Sequence, residues 1–116
     1  MRREEAGTGH RHLRVQGLVL EELRALLRDD VQDPALGGVR VASVVLSVDY
    51  RHARVHFLLR AAERSTPPFV ERALARVTPF LRARLAEAIE MKRVPELRFV
   101  FDGIASDADG EASGSE

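Results

Sequence analysis

The sequence predicts an α+β sandwich in which helices cover one face of a three-stranded sheet, in the order α-β-β-α-α-β. Three observations carry that prediction. Residues 12–31 have a helical hydrophobic period. Two β-rich runs follow at 39–48 and 53–60, joined by only Asp49-Tyr50-Arg51-His52. Two Thr-Pro helix starts then precede an alternating run at 97–101. A length of 116 residues suits one domain, since domains commonly hold about 100–150. No internal repeat is visible.

In the first helix Val15, Leu18, Val19, Leu23, Leu26 and Leu27 recur at three- and four-residue spacing and define an apolar face. Arg14, Glu21 and Arg28 fall a heptad apart on the opposite side, which suits solvent. Asp33-Pro34 closes the helix, because proline disfavours helical geometry in the residue before it. Gly37-Gly38 supplies the turn into the first strand. That strand, VRVASVVLSV, is rich in β-branched residues. The second, ARVHFLLR, places Val55, Phe57 and Leu59 on one face and Arg54, His56 and Arg60 on the other. The short link between them implies an antiparallel hairpin. A polar loop spans 62–66.

Thr66-Pro67 pairs a capping hydroxyl with proline at the first helical position. Phe69, Val70, Ala73, Leu74 and Val77 give that helix its apolar face. Thr78-Pro79 repeats the signal, so a new helix is expected to open at Pro79 after a sharp kink. Its core stripe would be Leu81, Leu85, Ala88 and Ile89. Pro95 ends that neighbourhood, and LRFVF alternates as the third strand.

Eighteen basic and 18 acidic side chains leave no formal net charge, which by itself disfavours a polyanion binder. The charges are unevenly placed, however. Residues 102–116, DGIASDADGEASGSE, hold five acids and no base. The remaining 101 residues carry 18 basic and 13 acidic groups, a net of +5. Residues 105–116 have almost no large apolar side chain and are expected to form a disordered acidic tail. Residues 1–10 are expected to be a flexible start, which leaves 11–104 as the folded and basic unit.

Several classes are excluded on chemistry. The absence of cysteine removes disulfide scaffolds and thiolate zinc sites, and agrees with a reducing cytoplasm. No basic flank with a long apolar core marks a secretory signal, and the longest near-apolar run, 41–48, is too short to span a bilayer. His10, His12, His52 and His56 lack companion acids at metal-ligand spacing and are expected to face solvent. Asp33, Asp49 and Asp102 stand at expected element ends, where a carboxylate accepts backbone amides. No nucleophile elbow or phosphate-binding loop occurs. Neither catalysis nor a cofactor, metal or small-molecule substrate is expected.

Binding chemistry is better represented. Seventeen of the 18 bases are arginine, whose planar fork suits phosphate; a GC-rich genome equally favours arginine codons. Between residues 71 and 98, Arg72, Arg76, Arg82, Arg84, Lys92, Arg93 and Arg98 outnumber Glu71, Glu87, Glu90 and Glu96. On a helix opening at Pro79, Arg82 and Arg93 would share one edge about three turns apart, with the small Ala86 between them. Free amides around Thr78 and Pro79 would meet a phosphate there. The candidate RNA-binding set is therefore Arg72, Arg76, Thr78, Pro79, Arg82, Arg84, Lys92 and Arg93. The competing reading is a solvated face laced with helix ion pairs worth about 0.2–0.5 kcal/mol each. Phe57, Phe80, Phe99 and Phe101 fall on apolar faces, so shape and phosphate contacts should dominate over base stacking. Tyr50, at the hairpin tip, either stacks on a base or covers the core edge.

The element order is that of the type II KH fold, and particular residues extend the likeness. The first half, RVQGLVLEELRALLRDDVQDPALGGVRVASVVLSVDYRHARVHF, has a helix, Asp-Pro-x-Leu, a strand ending in Ser-x-Asp, and Ala-x-Val opening the next. The second half, ALARVTPFLRARLAEAIEMKRVPELRFVFD, has a Leu-rich helix, Val-Pro-Glu-Leu-x-Phe and an aspartate. On these residues the chain resembles the bacterial ribosome-binding factor A family over about residues 11–102. The resemblance implies a KH-like domain with a helix-kink-helix in place of the GxxG loop. It implies a non-enzymatic assembly factor that binds the small (30S) ribosomal subunit and its 16S rRNA during late maturation and processing. Growth in the cold and release by a GTPase belong to the same implication, and the expectation is a cytoplasmic monomer. Two departures stand out: Val77-Thr78-Pro79 occupies the place of the family's Ala-x-Gly kink, and the acidic stretch replaces a Ser-bearing, helix-forming extension. The alternative is a protein-interaction adaptor whose basic face meets an acidic partner without direct RNA binding.

Overall fold

The computed structural model describes residues 9–61 and 66–105. The elements are α1 (His10–Ala25), β1 (Val39–Leu46), β2 (His52–Arg60), α2 (Pro67–Ala88) and β3 (Glu96–Ala105). The acidic stretch 106–116, the first eight residues and most of the expected polar loop, 62–65, lie outside the described residues. The sheet has the order β1-β2-β3, with β2 central, antiparallel to β1 and parallel to β3. A parallel return needs a crossover, and α2 supplies it.

Both helices lie on one face of the sheet. Val19, Leu23 and Leu26 from the α1 region meet Val44, Leu46, Ala53 and Val55 of the sheet and Leu81 and Leu85 of α2. A second cluster joins Leu36, Phe57 and Leu59 to Val70, Ala73 and Leu74. Each fully buried side chain of this size contributes about 1.5–3 kcal/mol, so these two clusters hold the layers together. The expected α+β layering is present. Val55, Phe57 and Leu59 face inward as the alternation predicts, but Leu18, expected in the core, is 47% exposed.

The two helices expected around Thr78-Pro79 are one continuous helix, with Pro79 in its interior. Thr78 does not start a new helix: its hydroxyl donates to the Leu74 carbonyl at 2.7 Å, one turn back. Leu74, Leu81 and Leu85 are all fully buried on one face. A break between them would pull one side off the core, and that burial outweighs the local preference of proline. Thr66 and Pro67 do begin the helix as expected, the Thr66 hydroxyl accepting from the Phe69 amide at 3.4 Å.

α1 also ends differently from expectation. Its last turn widens over Leu26–Asp30, where the Val31 amide donates to Leu26 O, five residues back, at 2.9 Å. Asp33 caps the short turn Pro34–Leu36 by accepting from the Ala35 amide at 3.0 Å. Asp49 accepts from the Ser47 hydroxyl at 2.7 Å and the Arg51 amide at 3.0 Å, closing the hairpin. Those two donors hold its carboxyl below the ordinary range, so this bracing is lost only as acid pH falls through that depressed value. Asp102, by contrast, lies within β3 and accepts from His56 Nδ1 at 3.1 Å. Tyr50 adopts a left-handed φ of 66° at the end of the hairpin turn, where its amide donates to Ser47 O at 2.9 Å, and its ring packs on the core edge, 5.0 Å from the His12 ring.

His12 corrects the expectation of solvent-facing histidines. It is only 5% exposed, and its Nε2–H donates to Leu46 O at 2.9 Å. Gln16 Oε1 accepts from the Leu46 amide, also at 2.9 Å. β1 is an edge strand, and these two α1 side chains satisfy backbone groups that the sheet leaves unpaired. His12→Ala is expected to cost about 1–3 kcal/mol, because a buried carbonyl loses its donor. The check is a urea midpoint that falls with an unchanged slope; an unmoved midpoint would show that the contact contributes nothing.

Candidate nucleic-acid interface

The described residues carry 15 basic and 11 acidic side chains, so the body has an excess of cations. Where those cations are already engaged decides what is left for a ligand. Arg76 Nη2 lies 3.2 Å from Asp33 Oδ2. Arg84 pairs with Asp30 at 3.2 Å and with Glu87 at 3.3 Å, and its guanidinium sits 5.6 Å from the Phe80 ring centre. Exposed pairs of this kind add only about 0–1 kcal/mol to stability, yet they occupy the arginine forks. The shallow cavity of about 510 Å³ beside them is lined by Asp30, Asp33, Arg76, Val77 and Phe80. Its two carboxylates oppose a phosphate there.

Arg82 is engaged in another way. It donates from Nε to Pro95 O at 3.1 Å and from Nη2 to Val94 O at 2.8 Å. It is a half-buried clamp on the chain between α2 and β3. Arg93 belongs to that connecting chain, since α2 ends at Ala88, so the expected shared edge of Arg82 and Arg93 does not exist. The free amides expected around Thr78 and Pro79 are likewise missing, because a helix interior has no set of unbonded first-turn amides. Of the eight expected residues, Arg72, Lys92 and Arg93 are exposed cations without a polar partner among the described residues. Arg72 stands apart from the other two, early on α2.

A different set is brought together at the start of α1. Arg11, Arg14 and Leu18 follow one helical stripe, which faces the chain leaving α2. The two segments line a groove of about 760 Å³ with Val15, Ile89, Met91, Lys92 and a single acid, Glu90. Arg11, Arg14 and Lys92 are exposed and have no ion-pair partner among the described residues. His12 pins this end of α1 to Leu46, which fixes Arg11 and Arg14 on either side of it. The Arg82 clamp fixes the chain that carries Lys92 and Arg93. Two guanidinium forks and an ammonium around an apolar floor suit a phosphodiester backbone, where position and charge matter more than base identity. Arg11 and Arg14 stand at i, i+3 spacing beside the buried Val15, inside the segment 11–104 expected to fold.

No group of three or more metal-ligating side chains occurs among the described residues, and no helix among them is long and apolar enough to cross a membrane.

The family model described as "Ribosome-binding factor A" matches residues 11–110. A ribosome-binding factor A of Heliobacterium modesticaldum is 39% identical over 94 residues, covering 81% of this chain and 77% of that protein. The crystal structure of ribosome-binding factor A from Thermus thermophilus is similar with a TM-score of 0.68 and 29% identity, over 80% of this chain and 94% of that one. A homology model of the Thermus thermophilus ribosome-binding factor A, fitted into the cryo-EM map of a 30S complex, is similar with a TM-score of 0.61 and 28% identity, over 74% of this chain and 89% of that one.

Proposed function

This chain belongs to the ribosome-binding factor A family, and on that premise we propose that it binds the small ribosomal subunit by gripping RNA backbone in the groove of Arg11, Arg14 and Lys92. The observation that carries the proposal is three cations in one groove with a single acid. The complex of the Thermus relative with 30S supports the choice of partner. On this reading the RNA is 16S rRNA, held during late maturation and processing by a type II KH-like scaffold. The protein acts as a cytoplasmic monomer, supports growth in the cold, and leaves the subunit when a GTPase releases it. It performs no catalysis of its own. Arg72 and Arg93 add long-range attraction, whereas Arg76 and Arg84 are already neutralised by Asp33 and Asp30.

The test is a filter-binding titration against isolated small subunits and free subunit RNA across a range of salt. Binding to both should weaken with salt, by a log–log slope of about −0.7 to −0.9 for each neutralised phosphate. The triple variant R11Q/R14Q/K92Q is expected to lose at least about tenfold in affinity and to flatten the slope by about 2 to 3. R76Q/R84Q should bind nearly as the parent does. A triple variant with parental affinity and slope removes the groove from the interface. Salt-insensitive binding, or none to RNA, favours the adaptor reading instead.

A further inference from the structure

We propose that Arg54 and Arg98 form a second phosphate contact on the face of the sheet that no helix covers. The two residues are direct partners in the parallel ladder of β2 and β3, and both are exposed. They belong to the outward set of their strands, opposite the buried Ala53, Val55 and the partly buried Phe99. Val45, which pairs with Arg54 from the other side and is 40% exposed, completes a row across all three strands.

Like charges directly opposite each other destabilise a sheet. Neither arginine makes an ion pair among the described residues. On the same face Glu96 precedes Arg98 by two residues and Asp102 follows it by four, and Asp102 is engaged by His56 at 3.1 Å. Glu96, at the start of β3, pairs in the ladder with His52 and makes no ion pair with either arginine. Strands lie about 4.8 Å apart, so two guanidinium forks on neighbouring strands reach a single phosphodiester group. A bound phosphate would turn the repulsion into attraction.

Position links the pair to the groove. Arg98 follows Lys92 by six residues, through the chain that Arg82 clamps. The Glu96 amide donates to Arg51 O at 2.8 Å, next to the start of β2. The first turn of α1 is tied to Leu46, the ladder partner of Ala53. The groove and the arginine pair are thus two sides of one end of the molecule. An RNA strand passing round the 89–95 chain touches both, and the contact deepens the reading that this protein binds subunit RNA.

The experiment compares R54T/R98T with the parent and with R11Q/R14Q/K92Q, on free subunit RNA and on intact small subunits. The expected result has opposite signs in two readouts. The unfolding midpoint stays or rises, because repulsion is relieved and threonine suits a strand, while RNA affinity falls about tenfold and the salt slope flattens by about 1 to 2. A purely structural pair would lower the midpoint and leave the slope alone. Parental affinity and slope on free RNA overturn the proposal, and if the groove variant loses binding in parallel, the reading of subunit RNA binding still stands. Loss on intact subunits without loss on free RNA overturns it in favour of an acidic protein surface. A parent chain that does not bind RNA at all defeats the reading and this contact together. Should threonine disturb the strands, R54Q/R98Q, of similar side-chain length, is judged by the same affinity and slope.

Discussion

Arg82→Met is expected to lower the stability of the fold by about 2–4 kcal/mol, the largest loss for any single arginine here. The side chain donates two charged hydrogen bonds, at 3.1 and 2.8 Å, to the carbonyls of Pro95 and Val94. Methionine keeps much of the apolar stem but leaves both carbonyls without their donors. For a domain near this size each kcal/mol moves the melting temperature by about 4–8 °C, so a fall of about 8–32 °C is expected. Arg82→Lys, which can reach only one carbonyl well, should lose roughly half as much. Thermal and urea unfolding check both values, and a parental midpoint for the methionine variant would show the clamp to be incidental. Reduced RNA binding by an Arg82 variant therefore reports a displaced 89–95 chain, not a lost phosphate contact.

The second large effect has the opposite sign. Pro79→Ala is expected to raise stability by about 2 kcal/mol. Proline in a helix interior costs about 3 kcal/mol through its missing amide and its clash with the preceding turn. The restriction that proline places on the unfolded chain returns up to about 1 kcal/mol of that. Pro79 is exposed, so alanine removes no buried packing, and its amide becomes available to the carbonyl one turn back. Differential scanning calorimetry should show a higher melting temperature. An unchanged or lower value would mean that a bend at this position is required for Leu81 and Leu85 to seat in the core. RNA affinity should stay within about twofold, since Arg11, Arg14 and Lys92 are untouched; these effects are well below the 1.4 kcal/mol of a tenfold change.

Much of the architecture was legible because it depends on local pattern. Alternation in ARVHFLLR put Val55, Phe57 and Leu59 inward without knowledge of any partner. The Thr66-Pro67 start was readable from a hydroxyl and a fixed φ. The second Thr-Pro misled for a physical reason: local propensity favours a break of a few kcal/mol, whereas Leu74, Leu81 and Leu85 together bury more than that on one face. His12 was hidden because nothing in HRHLRV marks one histidine for a strand carbonyl 34 residues away.

The candidate site shows the same division. Sequence by itself determined the α+β layers, the family, and the basic excess of the body once its acidic end is counted separately, since all three follow from residue order and composition. Only the tertiary structure decided which cations remain available. Arg76 is neutralised across 43 residues by Asp33, and Arg82 is committed to carbonyls 12 and 13 residues away. Arg11 and Arg14, in turn, meet Lys92 from the far end of the chain. A side chain's charge is written in its identity, but its availability depends on what the packed helices bring beside it. Hydrophobic period places a residue on a face; it does not say which acid or carbonyl that face will meet.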